Sequence, residues 1–245
     1  MQLSYRQKNN GMYILSRSDI EEIAEAILKE YSPKNLLNPM PLDTIDLLEN
    51  HLGLTVKRKY IGTIESEVLG LVVMSDSAEI PSYDDTLRPV LLEETYGTVL
   101  INRNLIGSEN VARRRFTEAH EGAHFILHKE YFRHTSNASA ARRRYIACRR
   151  VELENDKPNN NTEWLEWQAD SLAAALLMPK SIFASVAVSC FNRSRIYDIA
   201  YLNTAISEDR ALTFSVLKEL SGLFNVSYKA AKLRMKHLGL LREPA

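Results

Sequence analysis

Arg115-Phe116-Thr117-Glu118-Ala119-His120-Glu121-Gly122-Ala123-His124 ends in an H-E-x-x-H pentapeptide, His120 to His124. Around it Ala112, Phe116, Ala119, Ala123, Ile126 and Leu127 recur at helical spacing, so the segment reads as a helix, from about Ser108 to Lys129, that buries one face. Two histidines four apart lie on neighbouring turns of one face, with Cβ atoms about 5–6 Å apart. That separation suits two corners of a tetrahedral zinc site, with Zn–N distances of about 2.0–2.1 Å. Glu121 sits one step round the helix, placed to take a proton from a metal-activated water, so its carboxylate is expected to start ionised. The plain alternative is two histidines satisfied inside a core. A chance H-E-x-x-H in a chain of this composition arises on the order of one time in a hundred, which favours the metal.

A third ligand is available downstream. Glu166-Trp167-Gln168-Ala169-Asp170 lies in a second amphipathic helix, marked by Leu165, Ala169, Leu172, Ala173 and Leu176. Glu166 and Asp170 are four apart and share a face. A catalytic zinc takes three protein ligands and leaves one place for water, and two histidines with a glutamate is an established set. Asp170 is then placed to accept a hydrogen bond from the far ring nitrogen of a ligating histidine. Alone, Glu166 and Asp170 would be two solvated acids; beside H-E-x-x-H they read as part of the site.

Arg114 through His128, and Glu166-Trp167-Gln168-Ala169-Asp170 with the Ser171-Leu172-Ala173-Ala174-Ala175-Leu176-Leu177-Met178-Pro179 that follows, resemble the two metal segments of the ImmA/IrrE family of bacterial metallopeptidases. The upstream Val99-Leu100-Ile101-Asn102 and the stretch from Phe224-Asn225-Val226-Ser227 to Leu238-Gly239-Leu240-Leu241 also fit, so the resemblance covers nearly the whole chain. It implies a zincin-like α+β fold, with His120, His124 and Glu166 as zinc ligands and Glu121 as the catalytic acid/base. It also implies a protein substrate, a helix-turn-helix transcriptional repressor whose inactivation frees mobile-element or stress genes. The glycine at Gly122 departs from the apolar residue commoner after this glutamate; it lies between the histidines and touches no ligand.

With 245 residues and 45% apolar content the chain can build a sizeable core, expected here as a metallopeptidase domain over 1–180 and a helical segment over 181–245. No run approaches the 18 apolar residues of a membrane span, Met1 to Asn10 lacks the apolar region of a signal peptide, and two cysteines make no disulfide framework. A cytoplasmic protein is expected. Zero formal net charge argues neither for nor against nucleic acid.

A helix from about Ser18 to Tyr31 carries Ile20, Ile23, Ala24, Ile27 and Leu28, with Ser18 and Glu21 read as its capping box. A second runs from about Pro41 to Leu52 and stops at Gly53. Leu54 to Ile61, Leu69 to Met74 and Thr98 to Arg103 read as strands, and Ser75 to Tyr96 as an acidic, turn-rich excursion. Helices and strands in separate blocks indicate α+β. Thr98 to Asn102 admits two readings, an edge that grips substrate as an added strand or an ordinary buried strand.

Five arginines between Arg142 and Arg150 suit a lid, a docking surface or a solvated face, and Thr162 is a candidate N-cap for the second metal helix. Tyr131, His134 and Tyr145 are candidate oxyanion donors. His128 continues the histidine ladder but would close the site as a fourth ligand, so it reads as structural; Cys148 reads as an ordinary thiol. At the C-terminus Val216, Leu217, Leu220 and Leu223 mark one helix, and Ser227 caps another on which Lys229, Lys232 and Lys236 share a face. Such a pair looks like a helix-turn-helix. Two functions stand: a zinc endopeptidase that cuts a repressor, or a non-proteolytic regulator that binds a repressor or DNA. Glu121 favours the first, since a binder needs no base.

Overall fold

The computed structural model describes residues 3–65, 68–136, 145–149, 158–193 and 199–243, with backbone alone at 135–136 and 145–149. The chain divides into two compact units, Met1–Ile20 with Asp43–Ala173, and Glu21–Leu42 with Ala174–Ala245.

In the first unit a short helix α3 (Thr44–Asp46) runs on into a wider turn, Leu47–His51. It is followed by β1 (Thr55–Lys59), β2 (Val68–Val73), β3 (Ala78–Tyr83), β4 (Pro89–Glu94) and β5 (Thr98–Asn102). After α4 (Val111–Ser136) come β6 (Tyr145–Arg149) and α5 (Asn161–Leu177). A mixed sheet has the order β1-β5-β2-β6, with β1 parallel to β5 and the other pairs antiparallel. The architecture is α+β, as the segregated sequence pattern predicts.

Alternation along the strands builds a core on each face of this sheet. Val72, Val99 and Ile101 pack with Leu48, Leu54 and Phe132 on the face that meets α4. Leu71, Val73 and Leu100 pack with Ile61, Ala78 and Ile80 on the other. The β2–β6 register shifts between Val68 and Gly70, so Leu69 joins the first cluster while Val68, two residues before Gly70, joins the second.

One expectation changes here and one open choice is decided. Ser75 to Tyr96 contains a two-stranded antiparallel hairpin, β3 with β4, because Ala78, Ile80 and Ser82 alternate inward and the first two join the second core. And β5 lies between β1 and β2, fully buried, so neither of its edges is open to a substrate strand.

Helix caps fall two residues earlier than the sequence suggests. Ser16 and Asp19 exchange hydrogen bonds at the start of α1 (Arg17–Tyr31), where the expected pair was Ser18 and Glu21. Asn160 Oδ1 accepts from the Glu163 amide at 3.0 Å and caps α5 in place of Thr162.

The second unit contains most of α1, α2 (Lys34–Leu37), α6 (Lys180–Asn192), α7 (Ser207–Phe224), α8 (Tyr228–His237) and a short parallel pair, β7 (Leu202–Asn203) with β8 (Leu241–Arg242). Phe183 and Phe224 meet at 5.3 Å between ring centres, and Val216, Leu217, Leu220, Ala231 and Met235 are buried with them. Ser227 accepts from the Ala230 amide and caps α8 as the sequence predicts. Buried Arg234 binds both carboxylate oxygens of Glu21 and the Met178 carbonyl, which is where the glutamate assigned to the α1 cap is employed. Among the described residues no single helix is long and apolar enough to cross a membrane.

Candidate metal centre

α4 delivers His120, Glu121 and His124; α5 delivers Glu166 and Asp170. Their joint position depends on close approach to the sheet and to α3. A Cβ on Gly70 of β2 would stand 2.6 Å from Thr117 Cγ2 and 3.0 Å from Glu121 Oε1, so only glycine lets β2 lie this near the helix. Gly122 packs against Leu48, whose Cδ2 would be 2.7 Å from an added Cβ and would have to turn aside. The unusual glycine after Glu121 thus faces an apolar neighbour. One turn earlier, buried Glu118 accepts a hydrogen bond from Thr44 and lies 3.6 Å from the Arg114 guanidinium, tying α3 to α4.

Among the described residues, His120, His124 and Glu166 form one group able to hold a metal ion, with ligand atoms all within 4.8 Å of one another. The two Nε2 atoms are 2.8 Å apart, Glu166 Oε2 is 3.2 Å from His120 Nε2, and Glu166 Oε1 is 3.6 Å from His124 Nε2. The histidines are buried, while the Glu166 side chain is 20% and that of Asp170 42% exposed, which marks the solvent side of the cluster.

The hydrogen bonds behind the cluster show what it suits. His120 Nδ1 lies 2.8 Å from Asp170 Oδ1, so the Nδ1 proton faces the carboxylate and Nε2 keeps its lone pair. His124 Nδ1 lies 2.9 Å from His128 Nδ1, and His128 Nε2 lies 3.1 Å from Gln168 Oε1. Gln168 Nε2 donates to the Tyr13 carbonyl at 2.8 Å, which turns the amide oxygen toward His128. Burial, and the like charge of the neighbouring imidazoles, lower the basicity of His124 and His128 and keep both neutral. A neutral His128 with its proton on Nε2 offers a lone pair at Nδ1, so His124 donates there and its own Nε2 is an acceptor. Two imidazole lone pairs and a carboxylate thus point at one place and repel unless a cation lies among them. The donor set fits a divalent transition metal, zinc included.

Glu166 shows the same pull. Burial alone would raise its carboxyl, but the imidazoles of His120 and His124 beside it outweigh that and hold it well below the usual carboxylate range. Glu121 behaves oppositely. Neither of its oxygens has a hydrogen-bond partner among the described residues, and burial pushes its carboxyl from an ordinary 4.5 up to about 8, with His120 opposing the rise and Glu166 adding to it. Without a cation beside it the side chain is mostly protonated at neutral pH. The cause is complete desolvation; the ionised base expected from the sequence belongs to the metal-loaded site.

All five residues singled out by the sequence meet at this place, and two that it did not assign join them. His128, read as structural, is a hydrogen-bond partner of His124, and Gln168 is a partner of His128. The i+4 spacing of His128 from His124 signalled the first; nothing local to α5 signalled the second. Of the oxyanion candidates, Tyr131 packs on the core around Leu48, and the His134 ring lies against Gly11. Ten residues separate His134 from His124, about 15 Å along a helix. Tyr145 and Cys148 lie in β6, where the backbone alone is described, and Arg142, Arg143, Arg144 and Arg150 lie outside the described residues. On α8, Lys232 and Lys236 both pair with Glu243, at 2.6 and 2.8 Å, so these cations of the supposed DNA face are already engaged.

The family model described as the IrrE N-terminal-like domain, peptidase M78, matches residues 67–236. A search of curated proteins returns no match. Among solved structures, a Mycobacterium tuberculosis transcriptional regulator aligns at 12% identity and a TM-score of 0.43, over 89% of this chain and 55% of that one. The chain thus spans about half the length of that protein, and a likeness this slight bears on neither fold nor function.

Proposed function

Because this chain belongs to the IrrE N-terminal-like peptidase family, we propose that it is a zinc-dependent endopeptidase in which His120, His124 and Glu166 hold the metal and Glu121 is the general base. The observation that carries the reading is the convergence of three acceptor atoms, two from α4 and one from α5, beside a buried carboxyl group with no hydrogen-bond partner among the described residues. A mixed sheet packed on the H-E-x-x-H helix supports a zincin-like fold. When bound, zinc would polarise the scissile carbonyl, lower the attacking water's pKa toward about 7 and draw Glu121 down from its raised value. Glu121 accepts the proton of the attacking water and passes it to the leaving amine. Asp170 holds the His120 ring by its Nδ1 proton, so the Nε2 lone pair keeps its aim. Burial of Glu121 beneath β2 keeps bulk water from competing for that proton.

The proposed substrate is a cytoplasmic helix-turn-helix repressor whose cleavage derepresses mobile-element or stress genes; its support is the resemblance of the two metal segments. The test is cleavage of a helix-turn-helix repressor, sought first among the genes beside this one, followed by intact mass of the products. Zinc-loaded protein should cut it, whereas Glu121→Gln should bind zinc and repressor without cutting. A Glu121→Gln protein that relieves repression fully would establish the non-proteolytic alternative. Cleavage that survives verified removal of metal would sink the zinc mechanism.

A further inference from the structure

His128 and Gln168 are fully buried polar side chains that the proposed reaction does not use. They form a line with fixed polarity. The Tyr13 carbonyl can only accept, so the Gln168 amide nitrogen, 2.8 Å away, must donate to it. Turning the amide over would set two oxygens against each other at that distance. Gln168 Oε1 therefore faces His128 Nε2 at 3.1 Å and calls for a proton there. A neutral imidazole has one proton to place, so His128 Nδ1 is an acceptor, and His124 Nδ1, 2.9 Å from it, must be the donor. Each step leaves one choice for the next.

We propose that Tyr13, Gln168 and His128 form a tautomer relay that commits His124 to the Nδ1–H form and so aims its Nε2 lone pair into the metal cluster. The inference rests on the reading of His124 as a ligand, and it makes His128 and Gln168 positioning residues. It assigns a task to the N-terminal segment as well, since the carbonyl that sets the direction belongs to Tyr13, 155 positions from Gln168 in the sequence. A merely structural polar core would tolerate either His124 tautomer, provided every hydrogen bond was made.

The test uses the full chain without metal, its histidine rings labelled with nitrogen-15, in a long-range proton–nitrogen correlation spectrum that separates the two neutral tautomers. His124 should show its proton on Nδ1 and His128 on Nε2. His128→Leu removes the acceptor and should shift His124 toward the Nε2–H form, with zinc affinity down about 10–100-fold. His128→Gln should recover most of that affinity, because its amide can accept from His124 and donate to Gln168. Gln168→Met interrupts the line one step further back, should lower zinc affinity in the same direction, and serves if His128→Leu does not fold. A His124 proton on Nε2 in the unsubstituted protein overturns the relay, as does unchanged zinc affinity in folded His128→Leu or Gln168→Met. Zinc titration of the unsubstituted protein separates the two readings: no binding there overturns the metal assignment, and a wrong tautomer in a chain that binds zinc overturns the relay alone.

Discussion

On the solvent side of the cluster, His120 rests on a carboxylate, Asp170, whose side chain is 42% exposed. On the buried side, His124 rests on a neutral imidazole and an amide, neither of which meets water. Both arrangements hold a ring by its Nδ1 proton, yet one uses a charge and the other avoids it. The difference follows from desolvation. A carboxylate at the rim keeps part of its hydration, whereas an unpaired charge in the interior costs several kcal/mol. A neutral line has no charge to desolvate, but it needs every member in place to fix the direction of its protons.

The largest break in this comparison comes from the ligands themselves. His120→Ala, His124→Ala and Glu166→Ala should each abolish tight zinc binding, measured as metal content after dialysis, because no partner behind the cluster replaces a lost lone pair. His128→Ala, by contrast, should still bind one zinc per chain. Complete loss there would mean a closed four-ligand site and would remove the catalytic reading.

The two backings should then separate in a paired measurement of metal affinity and unfolding. Asp170→Ala should weaken zinc about 10–100-fold with little change in stability of the zinc-free protein. A truncation at His128 should weaken zinc and also destabilise the zinc-free protein by about 1–3 kcal/mol, the cost of a buried donor left without its acceptor. Equal stability losses in the two variants would erase the distinction between rim and interior.

The last measurement concerns pH. Glu121 holds a proton in the folded zinc-free chain up to about 8, while the unfolded chain releases it near 4.5. Stability must fall as pH rises across that interval, by about 1.4 kcal/mol per unit. His124 and His128, whose folded values lie below 6.5, act in the opposite sense, destabilising the fold as pH drops below 6.5. Glu166, lowered on folding, contributes stability that is already complete above its ordinary value near 4.5. Between pH 6.5 and 8 Glu121 is thus the member of this set that sets the slope. Denaturant unfolding of zinc-free Glu121→Gln should be flat there, whereas the unsubstituted protein declines. An unchanged slope in the variant would place the Glu121 proton elsewhere.

Much of the site was legible in the chain because its parts are local. Four-residue spacing puts His120 with His124, and Glu166 with Asp170, whatever surrounds them. Apolar periodicity marked α1, α4, α5, α7 and the three strands β1, β2 and β5. Less local matters escaped. Ser16 and Ser18, or Asn160 and Thr162, are equally good caps by type, and the choice fell to the residues with a reciprocal partner three positions on. The hairpin of β3 and β4 hid behind its exposed acidic positions. The place of β5 in the sheet depends on which strands pair, which no run of five residues specifies.

Sequence alone therefore determined which side chains fall on one helix face as candidate metal ligands, since a helix repeats every 3.6 residues and presents i and i+4 together. Tertiary structure decided their state. It set Glu121, without a hydrogen-bond partner among the described residues, in a buried place that Gly70 makes room for, where the metal-free carboxyl is pushed up to about 8. It also ran a line of hydrogen bonds from His124 to the Tyr13 carbonyl through groups far apart in the chain. Protonation and tautomer follow from burial and from the partner on the far side of each ring, and both exist only once distant segments have packed together.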